Sequence, residues 1–160
     1  MRILGIDPGF GTIGFGIIEK TNSAISVVDY GVISTPKEME FAERLSVVAD
    51  SIKGLISTHA PDEIAIEQLF FSANISTGIP VAQARGVILL ECFRSGKPTY
   101  EYNPLHIKQA ITGQARAQKT QMQQMVALIL GLAKPPRPDD AADALAIAIT
   151  HAQTNQTLKG

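Results

Sequence analysis

Arg2-Ile3-Leu4-Gly5-Ile6-Asp7, then Pro8-Gly9-Phe10-Gly11, then Thr12 to Ile18 read as two strands joined by a tight turn. Two apolar runs flank a segment in which one proline and two glycines supply the backbone geometry of a hairpin. A third strand follows near Ser23 to Ser34, where Val27, Val28, Val32 and Ile33 suit a pleated, half-buried surface. Three consecutive strands therefore begin the fold.

Thr35-Pro36-Lys37-Glu38 predicts a helix start, with Thr35 as cap, Pro36 in the first turn and Glu38 completing a capping box. Phe41, Leu45, Val48, Ile52 and Leu55 then recur at spacings of four and three, as on the apolar face of an amphipathic helix. Asp62 to Leu69 contains Ile64-Ala65-Ile66 and reads as a buried strand ending at Glu67. A polar loop, Ser72 to Gly78, leads into a helix through Val81, Arg85, Leu89 and Phe93 that stops near Gly96, with Phe41 and Phe93 taken as core. Pro98 to Tyr102 forms a fifth strand. Asn103-Pro104 caps a short helix up to Gly113, a further helix runs from about Gln118 to Leu130, and after the proline-rich segment 134–138 a last helix spans about Asp139 to Ala152. Strands first, then strand–helix alternation, predict an α/β domain with a mixed five-stranded sheet flanked by helices. Residues 1–153 make that single domain, with 154–160 as a flexible C-terminal tail.

At 160 residues with 45% hydrophobic and 18% charged residues, the chain has globular composition and can bury roughly 70% of its unfolded surface. Cys92 is the only cysteine, which excludes an intrachain disulfide or a thiolate zinc cage and suits a reducing, cytoplasmic setting. The apolar run before Asp7 is too short for a signal peptide or a membrane span. The net charge is −1, but its distribution is uneven. Residues 1–84 carry five Lys/Arg against ten Asp/Glu, residues 85–137 eight against two, and residues 138–160 one against three. This pattern predicts a cationic surface beside an acidic pocket, against ordinary scatter of solvated charge as the alternative.

Asp7 ends an apolar strand, where a charge is costly unless it meets a cation or reaches solvent. Glu67 repeats the pattern. The ligand crevice of an open α/β sheet lies beyond the carboxyl ends of its strands, so the two acids are candidates for one site. Asp140 and Asp143 are three apart in Asp139-Asp140-Ala141-Ala142-Asp143 and share a helix face. The positive end of the helix dipole accounts for Asp139 or Asp140, but not for Asp143, a full turn further in among small and apolar residues. Four hard oxygen donors point to magnesium or manganese rather than zinc. Two such ions, about 4 Å apart, suit in-line phosphodiester hydrolysis. His59, His106 and His151 read as surface or packing residues.

Gly5-Ile6-Asp7-Pro8-Gly9, Ile66-Glu67-Gln68-Leu69-Phe70, Ala82-Gln83-Ala84-Arg85-Gly86 and Asp140-Ala141-Ala142-Asp143-Ala144-Leu145-Ala146 together resemble, in order and over nearly the whole chain, the four signature segments of the RuvC Holliday-junction resolvases. The resemblance implies an RNase H-like fold, a homodimer, and symmetrical nicking of two opposed strands of four-way junction DNA to give ends that ligase can seal. It implies catalysis by Asp7, Glu67, Asp140 and Asp143 with two Mg2+ per subunit, Mn2+ substituting, and partnership with the RuvA–RuvB branch-migration complex. Lys108 and Lys119 match basic positions near the scissile phosphate, and Phe70 matches an aromatic that stacks at the junction centre. Arg116, in the loop Gly113 to Lys119, is a further candidate phosphate contact. Ala82, Gly86 and Leu90 fall in the region that contributes to the dimer. Two features depart from the family. The segment Ser72 to Pro80 lacks the lysines that relatives often carry, with Pro80 where relatives continue a helix, and the pI of about 6.3 is low for a junction binder. On the carboxylates alone, an RNase H-like nuclease with another substrate stays open. An actin-like phosphotransferase would need a second such domain, and a non-catalytic junction binder would not need all four acids.

Overall fold

The computed structural model describes residues 1–70 and 75–157. In chain order it comprises β1 (Arg2–Asp7), β2 (Thr12–Thr21), β3 (Ala24–Ser34), α1 (Phe41–His59), β4 (Glu63–Glu67), α2 (Ile75–Arg94), β5 (Thr99–Tyr102), α3 (Pro104–Thr112), α4 (Lys119–Ile129) and α5 (Asp139–Thr157). The five strands form one sheet in the order β3-β2-β1-β4-β5. β1, β2 and β3 pair antiparallel, and β1, β4 and β5 pair parallel, so the mixed α/β sheet expected from the sequence is observed.

Side-chain alternation sorts each strand between two cores. Leu4, Ile6, Ile13, Ile17, Ile64 and Ile66 pack with α1 and α2, around Val48, Ile52, Ile56, Ile88 and Cys92. The opposite face meets α5, with α3 and α4 beyond it, around Ile107, Met122, Val126, Leu145 and Ile149. Asp7 and Glu67 share the parity of Ile3 and Ala65, both in this second core, so both acids point to the α5 side. The pairing of Gly5 with Gly16 and Ala65, and of Asp7 with Gly14, runs a row of minimal side chains across that face. α5 sits directly on this row. A Cβ on Gly5 would lie 2.2 Å from the Ala144 carbonyl oxygen, one on Gly14 1.9 Å from that of Asp140, and one on Gly16 2.8 Å from the Leu145 side chain.

Several local expectations are corrected. Thr35 does not cap a helix. Its N–H donates to the Gly11 carbonyl (3.0 Å), its hydroxyl donates to the Phe10 carbonyl (3.0 Å), and the same Oγ1 accepts from Arg44 Nε (3.0 Å). With the hydroxyl taken by the β1–β2 hairpin, α1 starts at Phe41 without a side-chain cap. Its buried seam is Arg44, Val48, Ile52 and Ile56, while Phe41 lies outside the seam and stacks on Phe10. In α2 the buried residues are Ala84, Ile88 and Cys92, and Phe93, expected in the core, is 82% exposed. The apolar set on this helix is divided between two faces, which periodicity alone does not separate. α2 also begins at Ile75 and takes in Pro80, so residues 75–78 are helical rather than loop. Pro80 costs the helix one backbone donor. The remainder of the expected loop, Ser72 to Asn74, lies outside the described residues.

α5 continues to Thr157, past the expected end near Ala152, and so takes in the first residues of the segment read as a tail. Two histidines have specific partners. His59 Nε2 is 3.2 Å from Asp29. His151 is fully buried between the Tyr102 hydroxyl and the Glu63 carboxylate, each at 2.6 Å.

The glycine seat gives a direct test. Gly14→Ala forces a methyl against the α5 backbone and is expected to cost about 1–3 kcal/mol by chemical denaturation, and to lower activity as α5 shifts. Gly54→Ala, on α1 with nothing within 4 Å of the added carbon, is expected to be neutral or to stabilise by about 0.4–1 kcal/mol.

Candidate metal centre

Asp7 and Glu67 are the last residues of β1 and β4, and the parallel pairing of these strands brings their ends side by side. Asp140 and Asp143 lie in the opening turns of α5, which the glycine row lowers onto the same strand ends. Carboxylate oxygens of Asp7, Asp140 and Asp143 all fall within 4.8 Å of one another. Glu67 joins through a side-chain hydrogen bond with Asp7. The four acids predicted from the sequence are thus brought together from three elements.

Like charges held this closely in a partly buried site oppose their own ionisation. Burial, then the charges of Glu67, Asp143 and Asp140, push the Asp7 carboxyl up to about 8. Burial and Asp143 also raise Glu67, although its bond from Asp7 and the charge of Lys108 work the other way. Asp143 is raised by burial, against the pull of Lys119. Hard oxygen donors that crowd one another in this way fit a divalent cation, whose charge would relieve the repulsion that the protein alone leaves. Among the described residues, no other group of three or more acids, histidines or cysteines is disposed to hold a metal.

The acid cluster opens onto a cleft of about 280 Å³ lined by Glu67, Pro104, Ile107, Lys108, Lys119, Met122 and Asp143. Lys108 and Lys119, singled out in the sequence, are therefore beside the acids, on α3 and α4. Lys119 Nζ is 3.3 Å from Asp143 and 3.7 Å from Asp139. Partial desolvation disfavours its charge, but Asp143 and Asp139 outweigh this and raise the ammonium above its usual range. Asp139 also pairs with Arg137. The sequence offered Asp139 only as a complement to the helix dipole, and its role as an anchor for Lys119 required the position of α4. Arg116 is exposed in the α3–α4 loop and does not line the cleft. Phe70 is 61% exposed and lines a second depression with Pro8, Glu67, Gln68, Val81 and Pro104. An exposed ring next to a metal-ligand candidate is available for stacking. Phe71, the neighbouring aromatic, lies outside the described residues.

Comparison with known proteins finds relatives over nearly the whole chain. The family model described as crossover junction endodeoxyribonuclease RuvC matches residues 3–151. The crossover junction endodeoxyribonuclease RuvC of Clostridioides difficile (strain 630) is 50% identical over 159 residues, covering 99% of this chain and 94% of that protein. The Thermus thermophilus RuvC structure superposes with a TM-score of 0.89 at 33% identity, covering 98% of this chain and 96% of that one. The structure of T. thermophilus RuvC in complex with Holliday junction substrate gives the same TM-score at 31% identity, with the same coverage.

The raised Asp7 carboxyl links stability to pH. Its folded value of about 8 lies above an unfolded value of ~3.9, so the protonated acid favours the fold. That contribution is complete below about pH 4 and is lost as the pH rises towards about 8. In EDTA at pH 7.5, Asp7→Asn is therefore expected to melt at least about 3 °C above the parent chain. The gap should close near pH 4, and added Mg2+ should raise the parent's melting temperature more than the variant's. Scanning fluorimetry across pH checks all three.

Proposed function

The chain belongs to the RuvC family of crossover junction endodeoxyribonucleases, and on that premise we propose that it resolves four-way DNA junctions by hydrolysing phosphodiester bonds in two opposed strands. The observation that carries this reading is the convergence of Asp7, Glu67, Asp140 and Asp143 at one end of an RNase H-like sheet, with two lysines beside them. The reading takes magnesium as the metal, two ions per subunit, held by the four carboxylates. When bound, it supplies Lewis-acid stabilisation of the phosphate and an activated water.

The protein's own groups define where the DNA strand lies. Lys108 and Lys119 flank the cleft and attract a phosphate into it, next to the carboxylates rather than on top of them. Lys119, anchored by Asp139 and Asp143, holds its ammonium at the rim of the cleft, where it would meet the phosphate. Phe70, exposed beside Glu67, offers a platform for an unpaired base at the branch point, a contact worth ~1–3 kcal/mol. Arg116 extends the basic surface from the α3–α4 loop. On the outer face of α2, Ile79, Leu90 and Phe93 are exposed and Gly86 has open space above it. This apolar strip suits a second copy of the chain, and a twofold pair of sites suits paired cuts. A RuvA–RuvB partnership and a cytoplasmic location belong to the same reading. No helix among the described residues is long and apolar enough to cross a membrane.

A synthetic mobile four-way junction with strand mapping tests the proposal. Magnesium-dependent nicks at symmetrical positions in opposed strands are expected, with much slower cutting of linear duplex and of RNA–DNA hybrid. Asp7→Asn should lower cleavage at least about a thousandfold while junction binding persists and weakens steeply with salt. Persistent magnesium-dependent cleavage by Asp7→Asn, or equal cutting of all substrates, would overturn it.

A further inference from the structure

We infer that Arg85 is a positioning residue that fixes the last residue of β4, and with it the Glu67 carboxylate, from the neighbouring helix. The inference rests on Glu67 being a metal ligand. Arg85 lies on α2 with its side chain only 15% exposed. Its Nε donates to the Glu67 carbonyl oxygen at 3.3 Å, and its Nη2 pairs with the Glu101 carboxylate on β5. One guanidinium therefore ties α2 to the C-terminal ends of two adjacent strands.

Among the described residues, little else holds that end of the sheet. Glu67 pairs with Tyr102 at the last rung of the β4–β5 ladder, and after the Gln68 N–H to Tyr102 carbonyl bond of 2.8 Å the chain leaves the sheet. A carboxylate on a terminal strand residue swings with its own peptide plane. Anchoring the carbonyl of that residue restricts the swing.

The contact is also suited to a metal ligand. Arg85 reaches Glu67 through the backbone and leaves both carboxylate oxygens for a cation. Glu101 offsets the guanidinium charge, so Arg85 is not drawn onto the Glu67 carboxylate in competition with the metal. Lysine would carry the charge without the rigid fork that makes both contacts at once.

The test measures metal binding without DNA. Mn2+ is titrated calorimetrically into full-length, metal-free protein, with the melting temperature recorded in parallel. Arg85→Gln is expected to weaken Mn2+ binding about tenfold. Arg85→Lys should fall between Arg85→Gln and the parent. Glu67→Gln should also weaken binding, and Arg85→Gln added to it should weaken binding no further. If Arg85→Gln fails to fold, Glu101→Gln replaces it, with a smaller loss in the same direction expected.

Affinity within about twofold of the parent in the folded Arg85 variant, or in its Glu101 replacement, would overturn the inference. So would a full additional loss in the double variant. Unchanged affinity in Glu67→Gln would instead remove Glu67 from the ligand set, and the inference with it.

Discussion

Between α5 and the sheet there is no room for a side chain at Gly5, Gly14 or Gly16, where an added carbon would meet helix backbone or the Leu145 side chain. The helix answers with its own small residues, Ala141, Ala144 and Ala148, all buried. Backbone thus packs on backbone over β1 and β2. Had these positions carried valine or isoleucine, as most central strands do, α5 would stand several ångströms higher. Asp140 and Asp143 would then rise away from Asp7, which is fixed independently by its pairing with Gly14. The spacing of the acids is therefore set by residues that have no chemistry of their own.

The same close approach makes the acids destabilising. Burial and mutual repulsion raise Asp7, Glu67 and Asp143 together, and among the described residues the cation directly paired with these acids is Lys119, on Asp143. A fold selected for stability alone would not gather four carboxylates where two strand ends meet the start of a helix. The two hydrophobic cores on either side of the sheet, with Ile3, Leu4, Ile6, Ile17, Ile64 and Ile66 fully buried, offset the electrostatic cost. Rigidity around the site then ensures that the cost is relieved by a cation rather than by the acids moving apart.

Features settled by local chemistry were legible in the sequence. The hairpin at Pro8–Gly11, the strand ends at Asp7 and Glu67 and the Asn103 cap follow from turn, strand and capping preferences, and the structure places them as expected. Asp143 was identified because no local explanation satisfied it. What was not legible depended on partners distant in the chain. Thr35 has every local mark of a helix cap, yet its hydroxyl is claimed by Phe10 and Arg44. Gly14 and Gly16 resemble ordinary strand glycines until α5 is placed above them. Phe93 sits at a helical spacing from Leu89, but a helix with apolar residues on two faces does not declare which one is the core. Arg85 sits in a signature segment with no partner nearby in sequence, because the carbonyl it reaches lies across the fold.

In the proposed function, chemistry and substrate selection occupy different parts of the molecule. The carboxylates stand on β1, β4 and α5, elements held by the cores, and their net charge repels a nucleic acid. Attraction must come from elsewhere, and the sequence concentrates it in residues 85–137, with eight Lys/Arg against two Asp/Glu. The α3–α4 wall of the cleft comes from that segment, so in the proposed function Lys108 and Lys119 would draw a phosphate to the rim of the acid cluster. A nearly neutral chain can therefore bind DNA strongly on one side only. Because that attraction is electrostatic and does not depend on base sequence, discrimination among DNA shapes falls to groups with fixed geometry. In the function proposed above, the exposed Phe70 ring beside Glu67 and the apolar strip on α2 take that part.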